Sequence, residues 1–407
     1  MIHASNYKPR CYPFNGTAVS TELDRIQDIR GALTLNREKI KEVGRDGLVD
    51  WRKKVPTLKL TLSQLEYGSM ELFNQLANSA LNDASLSETD FKTSMIDICG
   101  YKTDDNGTFL GTVWYPNLRT ESFSVSIGDP DAMIQRTINL TGEDEITLLN
   151  DQKYLIVKNM VAVGAASNEA FIISDSGTSY PDPVEDEDNS GQYLHKVVQY
   201  DLSLTTATEL EYTTGYTYDP ALKTVTIVGA TEAGDVLKFY WAAATYITGI
   251  PTFTNNDVNP AVISADSCDI WLETSTRVYK LQSVNIDVGF TRTDYKEIGN
   301  SEIVQRGVKD TVITITLGRI LEDYTIEEIL RDKAGLAYGK IDPRLFADDI
   351  KLEVKLYTDK EKGTFAMKYV FTDLSPASLD AGTPVDDYVT RGNTLEGESF
   401  LIKSVDN

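Results

Sequence analysis

The stretch Arg292–Leu317, RTDYKEIGNSEIVQRGVKDTVITITL, decides the fold because an earlier stretch repeats it. Arg37–Leu62 reads REKIKEVGRDGLVDWRKKVPTLKLTL, a constant 255 residues upstream. At that offset Gln27, Arg37, Lys41, Glu42, Gly44, Val49, Lys54, Thr61 and Leu62 match Gln282, Arg292, Lys296, Glu297, Gly299, Val304, Lys309, Thr316 and Leu317. Apolar positions exchange like for like: Ile29/Val284, Leu33/Val288, Leu58/Ile313 and Leu60/Ile315. No gap is needed from Leu23 to Leu65. The period is too long for a solenoid unit, so the chain carries one domain twice.

Working outward, each copy opens on a strand. In Ile26–Leu35 the residues Ile29, Leu33 and Leu35 share a face, and Asp28, Arg30 and Thr34 oppose them. In the second copy Val284, Ile286, Val288 and Phe290 oppose Ser283, Asn285 and Asp287. Period-two alternation predicts a strand with one dry and one wet face. A second strand follows, with Leu58, Leu60 and Leu62 in one copy and Ile313, Ile315 and Leu317 in the other. Lys59 and Thr61, or Thr314 and Thr316, point away. Between the two strands lie 36–55 and 291–310, far more than a tight hairpin of about two to five residues needs. Each is read as a long, partly paired arm projecting from the sheet.

A short helix comes next. Thr325 and Glu328 are spaced as a capping box, with Ile326, Ile329 and Leu330 as the apolar stripe. The first copy has Ser69 as cap and Met70, Phe73, Leu76 and Ala77 as stripe. Tyr101–Phe109 then pairs with Tyr357–Phe365 as a polar hairpin turn, at an offset of 256. Arg136, Leu140, Gly142 and Glu143 match Arg391, Leu395, Gly397 and Glu398, again at 255. The duplication covers roughly 23–148 and 278–403.

The expected fold is mainly β: two tandem barrel-like or sandwich-like units, each with a short α-helix, plus an inserted all-β sandwich. Its boundaries are an extended arm over 1–22, the first copy over 23–149, the insert over 150–247, and the second copy with its lead-in over 248–407. The insert is read from the short runs QKYLIV, VVQYDLSL, ATELEYTTGYTYD, TVTIVG and DVLKFYWAAATY, separated by turn signals.

The chain has 407 residues, 62 acidic against 39 basic, and a formal net charge of −23. That balance argues against tight phosphate binding, which needs clustered Lys and Arg, and favours solubility. Cys11, Cys99 and Cys268 are odd in number and widely spaced, so reduced, partly buried thiols are expected, with neither a disulfide framework nor a zinc pattern. No signal-peptide pattern or membrane-length apolar run is visible, and the chain reads as soluble and made in a cytoplasm.

Catalytic chemistry is thin. His3 and His195 have no acid, thiol or metal spacing around them and are expected at the surface. Gly335–Lys340 has one residue too few for a phosphate-binding loop and is read as a helix end and turn. Glu185–Asn189 lacks the Gly and distal Glu of a calcium loop and is read as a solvated acidic loop. No cofactor is expected, and an enzyme is the poorest fit.

The run KEIGNSEIVQRGVKDTVITITLGRILEDYTIEEIL resembles the tail tube proteins of long-tailed bacteriophages, which in turn resemble the inner-tube proteins of type VI secretion. The shared order is strand, long arm, Thr-rich strand, short helix, hairpins, over about 60% of the chain. The resemblance implies two packed sheets flanked by a helix, six units closing a ring, and stacked rings whose arms reach the neighbouring ring. It also implies a structural virion protein of the tail, assembled in the host cytoplasm. Its partners would be further copies of itself, the tape measure and terminator proteins, a possible sheath, and double-stranded DNA in passage, with no membrane. The chain departs from the family in carrying two units. Head-to-tail contacts then close a pseudo-sixfold ring from three chains, a homotrimer. The insert is expected outside the tube.

Under that resemblance Asp28, Arg30, Lys59, Thr61, Ser283, Asn285, Asp287, Thr314 and Thr316 would line the bore, and Lys41, Glu42, Lys296 and Glu297 would make ring-to-ring contacts. Two other readings compete. One is a different tail component: a terminator, baseplate ring or sheath. The other is a carbohydrate-binding adhesive β-protein in which Phe239-Tyr240-Trp241 stacks on sugar.

Overall fold

A computed structural model describes residues 7–13, 21–40, 50–77, 84–92, 95–106, 108–129, 131–149, 154–164, 168–175, 180–186, 189–201, 207–244, 261–273, 276–279, 281–295, 305–321, 324–334, 342–382 and 389–405. The first part of the chain forms β1 (Tyr7–Pro13), β2 (Thr21–Glu22), β3 (Ile26–Thr34), β4 (Arg37–Ile40), β5 (Asp50–Lys53) and β6 (Thr57–Leu65). Then come α1 (Glu71–Leu76), β7 (Ser85–Ser87), α2 (Glu88–Lys92), β8 (Ile96–Thr103), β9 (Phe109–Ile127), β10 (Gln135–Gly142) and β11 (Ile146–Leu148). The insert supplies β12 (Tyr154–Val161), β13 (Ala170–Ile172), β14 (Lys196–Tyr200), β15 (Ala207–Leu210), β16 (Tyr216–Asp219), β17 (Thr224–Ile227) and β18 (Val236–Ala243). The last part holds β19 (Cys268–Leu272), β20 (Thr276–Arg277), β21 (Leu281–Tyr295), β22 (Gln305–Ile320), α3 (Thr325–Lys333), β23 (Ile350–Tyr357), β24 (Phe365–Gly382), β25 (Thr390–Gly397) and β26 (Ser399–Lys403). The fold is mainly β, as the alternation predicts. Its sheets are open, and none closes into a barrel among the described residues.

The chain divides into two compact units. One gathers 1–23, 95–118 and 144–257; the other gathers 24–94, 119–143 and 258–407. In the second unit eight strands pair antiparallel in the order β3–β6–β10–β9–β21–β22–β25–β24. A second sheet runs β20–β19–β23–β24–β26–β7. The 18-residue β24 serves both: its first half pairs with β23 and β26, and the rest, from Ser375, pairs with β25. Phe123 and Phe290 from the eight-stranded sheet, Phe400 from the other, Phe73 of α1 and Phe91 of α2 form one aromatic core with edge and stacked contacts of 5.3–6.4 Å. Burying rings of this size is the largest favourable contribution a small sheet pair can make.

In the first unit β2–β1–β8–β9–β11 form one sheet. The insert is a sandwich of β12–β18–β14–β15 on β13–β17–β16, with every strand read from the sequence present. Its core holds Ile156, Phe171, Val197, Tyr216, Val225, Leu237, Phe239 and Trp241. The opposite face of the four-stranded sheet, with Val198, Tyr200, Tyr240 and Ala242, packs on Tyr12, Cys99, Tyr101 and Trp114. Strand β18 is therefore buried on both faces, which explains why it is apolar everywhere but at Lys238. It also removes the sugar-stacking reading. Phe239, Tyr240 and Trp241 are all fully buried, so none offers a ring to a ligand.

Several local expectations need correction. Thr325 is the first residue of α3 rather than its cap. Tyr324 takes that position and no side chain caps the helix. Glu327 is wholly buried and held by arginines, so its place is set by packing. In the first copy Met70, not Ser69, holds the cap position and no side chain caps the helix; Ser69 Oγ only accepts from Glu71 N at 3.1 Å, and the stripe Met70, Phe73, Leu76 and Ala77 is buried. His195, just before β14, is half-buried with its ring 5.8 Å from that of Trp114, not at the surface. His3 and Gly335–Lys340 lie outside the described residues. Cys11 and Cys99 are buried, and the three cysteines form no disulfide with one another.

Candidate self-assembly surface

The eight-stranded sheet is built from the repeat. Copy one contributes β3–β6–β10–β9 and copy two contributes β21–β22–β25–β24, in the same pairing order. The two halves meet where the last strand of one pairs with the first strand of the next, Ser122↔Gly289, Ser124↔Asp287 and Ser126↔Asn285. Each half thus presents an edge that its twin completes. At the ends of the sheet, β3 pairs only with β6, and the β24 segment from Ser375 pairs only with β25, among the described residues.

Burial registers the difference between the filled and open edges. At the internal seam Val284, Ile286 and Val288 are 0–1% exposed. Their counterparts on β3 are Ile29 and Leu33, half-buried, and Gly31, exposed. Across the seam Phe123 is 1% exposed, while Leu379, its counterpart on β24, is half-buried. An uncovered strand edge is a template for another strand.

One face of the sheet is polar, carrying hydroxyls, amides and paired charges. Thr61 donates to Asn139 Oδ1 at 2.9 Å, and Asn139 Nδ2 donates to Ser122 at 2.9 Å. Ser126 donates to Asn285 Oδ1 at 2.8 Å across the seam. Lys59 is ion-paired with Glu121 at 3.2 Å, and Arg30 with Asp28. The nine residues expected on a wet face fall there by register: Asp28, Arg30, Lys59 and Thr61 on β3 and β6, Ser283, Asn285 and Asp287 on β21, Thr314 and Thr316 on β22. The opposing set Ile313, Ile315, Leu317, Leu58, Leu60 and Leu62 is fully buried.

The arms pair only in part. Arg37–Ile40 pairs with Asp50–Lys53 as a separate two-stranded ribbon, with Lys39 over the Trp51 ring at 5.2 Å. In copy two the ladder continues directly from the sheet, through Thr291–Tyr295 with Gln305–Asp310. Lys41, Glu42, Lys296 and Glu297 all lie outside the described residues.

No family model and no curated protein matches this chain. Among solved structures, it is similar to a chain of the sheath-tube complex of the extracellular contractile injection system PVC in its extended state, with 13% identity and a TM-score of 0.27. That match covers 35% of this chain and 92% of the other. A second similarity is to the tube-terminating cap of the anti-feeding prophage, with 11% identity, a TM-score of 0.29, and 39% and 100% coverage. At these values the likenesses carry no argument about function.

Two features escaped the sequence reading. The seam itself has no local signal, because alternation fixes a residue's face but not its neighbouring strand. The other is the acid–base content of the interior. The cavity of about 230 Å³ beside β20 and β21 is lined by Cys268, Asp269, Arg277 and Lys362, with Asp269 ion-paired to both cations. Burial pushes the Cys268 thiol up to about 12. Both cations are held by Asp269, and a thiol kept protonated by burial is a poor nucleophile. Glu185 and Asp186 are likewise engaged by their own loop, Glu185 accepting from Gly191 N and Asp186 from Asn189 Nδ2.

Proposed function

We propose that this chain is a structural tube subunit of a phage-tail-like particle, in which three copies close a ring of six sheet-forming units and the rings stack. The observation that carries the reading is the internal seam. The chain joins its own two repeats edge to edge and leaves the same two kinds of edge open at the ends of the sheet. Applying the seam's register to the open edges sets Ser378 opposite Thr34 and Asp380 opposite Ala32, with Arg30 diagonal to Asp380. A head-to-tail contact of this kind closes when its rotation divides a full turn.

In this reading Asp28, Arg30, Lys59, Thr61, Ser283, Asn285, Asp287, Thr314 and Thr316 face the channel. Their hydroxyls and amides bond one another and their cations are ion-paired, so a phosphate backbone finds few bare positive charges to bind. The arms carrying Lys41, Glu42, Lys296 and Glu297 reach the neighbouring ring. Tape measure, terminator and sheath proteins are the further partners of such a tube, and the virion tail its place. A terminator or baseplate ring is the alternative, since it would use the same lateral edge without long stacking.

The test is a Thr34→Cys, Ser378→Cys double variant. Oxidation of assembled protein should give covalent oligomers ending at trimer on a non-reducing gel, and electron microscopy of the wild type should show three chains per ring. A chain that stays monomeric at high concentration, or rings of six chains, would overturn it. Isolated rings with no tubes would favour the terminator or baseplate alternative.

A further inference from the structure

Within the first unit, where the four-stranded sheet of the sandwich packs on β8 and β9, three polar side chains meet among aromatic rings. Lys196 of β14 and Asp97 of β8 have side chains 2% and 0% exposed, with Lys196 Nζ 3.2 Å from Asp97 Oδ1. The same amine contacts Oδ1 of Asn117 on β9. Asn117 is pinned from two sides: its backbone N–H donates to Asp97 Oδ1 at 2.9 Å, and its Nδ2 donates to Glu209 Oε2 at 2.8 Å. It sits at φ +54°, beside the register shift that separates Ile96↔Leu118 from Ile98↔Tyr115. Lys196 lies over the Tyr240 ring at 5.3 Å, and Trp114 stacks on Tyr240 at 5.8 Å.

A buried amine and a buried carboxyl group held against a half-buried carboxamide are the components of a self-formed amide. Fixed proximity replaces an encounter and supplies much of the barrier reduction. We propose that Lys196 and Asn117 become joined by an intramolecular isopeptide bond, with Asp97 as the acid–base group. Uncharged Lys196 Nζ attacks Cγ of Asn117. The new C–N bond forms as the Cγ–Nδ2 bond breaks. Asp97 takes a proton from the attacking nitrogen and delivers it to the departing one, which leaves as ammonia. No oxidant, metal or cofactor enters the balance. Glu209, exposed at the mouth of the site, holds the departing nitrogen on the solvent side.

The reacting form of a lysine is the neutral amine, which carries the free electron pair. Lys238, a second fully buried lysine on the same sheet face, has its pKa pushed down to about 7, chiefly by burial, against the opposing pull of Asp97. The bond would tie β14 of the insert to β9, so the sandwich could not peel away without covalent rupture.

Intact mass measurement of the denatured full-length protein tests this directly. The wild type should be one ammonia lighter than its sequence, and a peptide map should contain a branched peptide joining Lys196 to Asn117. Mapping matters because Asn15-Gly16 and Asn106-Gly107 can also lose ammonia by cyclising. Lys196→Arg and Asn117→Ala should both restore the full mass and abolish the branched peptide, and Asp97→Asn should do so while leaving both reacting groups in place. A wild type of full mass overturns the proposal. So does an ammonia loss that maps elsewhere or persists in Lys196→Arg.

Discussion

Arg136 and Arg391 are the same residue of the repeat, yet each neutralises its charge differently. Arg136 is fully buried. Its guanidinium donates to Gln64 Oε1 through Nε at 3.1 Å, lies 3.5 Å from Glu66 Oε2, and sits 4.3 Å over the Phe73 ring. Glu66 is completed by Tyr369 OH at 3.0 Å and by the backbone N–H groups of Tyr67 and Gly68. In the second copy Leu321 stands where Glu66 stands. Its N–H donates to Val389 O as that of Glu66 donates to Ile134 O. The acid is supplied instead by Glu327 on α3, which meets Arg391 at 2.7 Å and also Arg319, the counterpart of Gln64. Copy one therefore balances one arginine with one acid, while copy two sets two arginines on one acid, with Arg391 partly open to solvent. A duplicated buried charge is kept only where an opposite charge can be found, and the chain has found it on different elements.

The comparison breaks most sharply by mutation. Arg136→Ala should cost about 3–5 kcal/mol, because it strands a buried carboxylate. Arg391→Ala should cost about 1–2 kcal/mol, since Arg319 still meets Glu327. Urea unfolding of both variants measures the gap, and equal losses would show that the two networks are energetically alike. Removing Lys39–Lys53 is expected to change unfolding stability by only about 0.5 kcal/mol, as for other surface changes, while tube formation stops. Unchanged tube length by negative stain would separate the arms from polymerisation.

The smallest effect is expected at the two hairpin turns. Asp104 accepts from the N–H groups of Asn106 and Thr108, and Asp359 from those of Gly363 and Thr364. In both, these backbone hydrogen bonds hold the carboxyl below the ordinary aspartate range. A depressed folded pKa stabilises above the unfolded value and is lost as pH falls through the folded one. Amide exchange at Thr108 and Thr364 should therefore rise together below about pH 3.9. A rise at only one turn would mark the copies as different there too.

Much of this was legible. Alternation at Val284–Phe290 and Leu58–Leu62 gave strands and buried faces, and turn spacing gave the sandwich. What stayed hidden lies at long range. Phe109–Ile127 is one continuous strand, and nothing local in its sequence says that its first half pairs with β8 and β11 and its second half with β10 and β21. Nor does sequence alone bring Lys196 to Asp97 and Asn117, which lie about 80–100 positions earlier. The isolated Lys238 inside VLKFYWAA was the one visible hint, since a lysine in a doubly buried strand needs a reason.

The joint from Ile127 to Val284 forms within one polypeptide, so its rate is first order and indifferent to dilution. Any joint made at Thr34 or Ser378 is second order in protein. Tethering raises the local concentration of one partner edge to about the millimolar range, so dilution and refolding should uncouple the two events in time. The internal joint would appear at any concentration, while the external one would wait for a crowd.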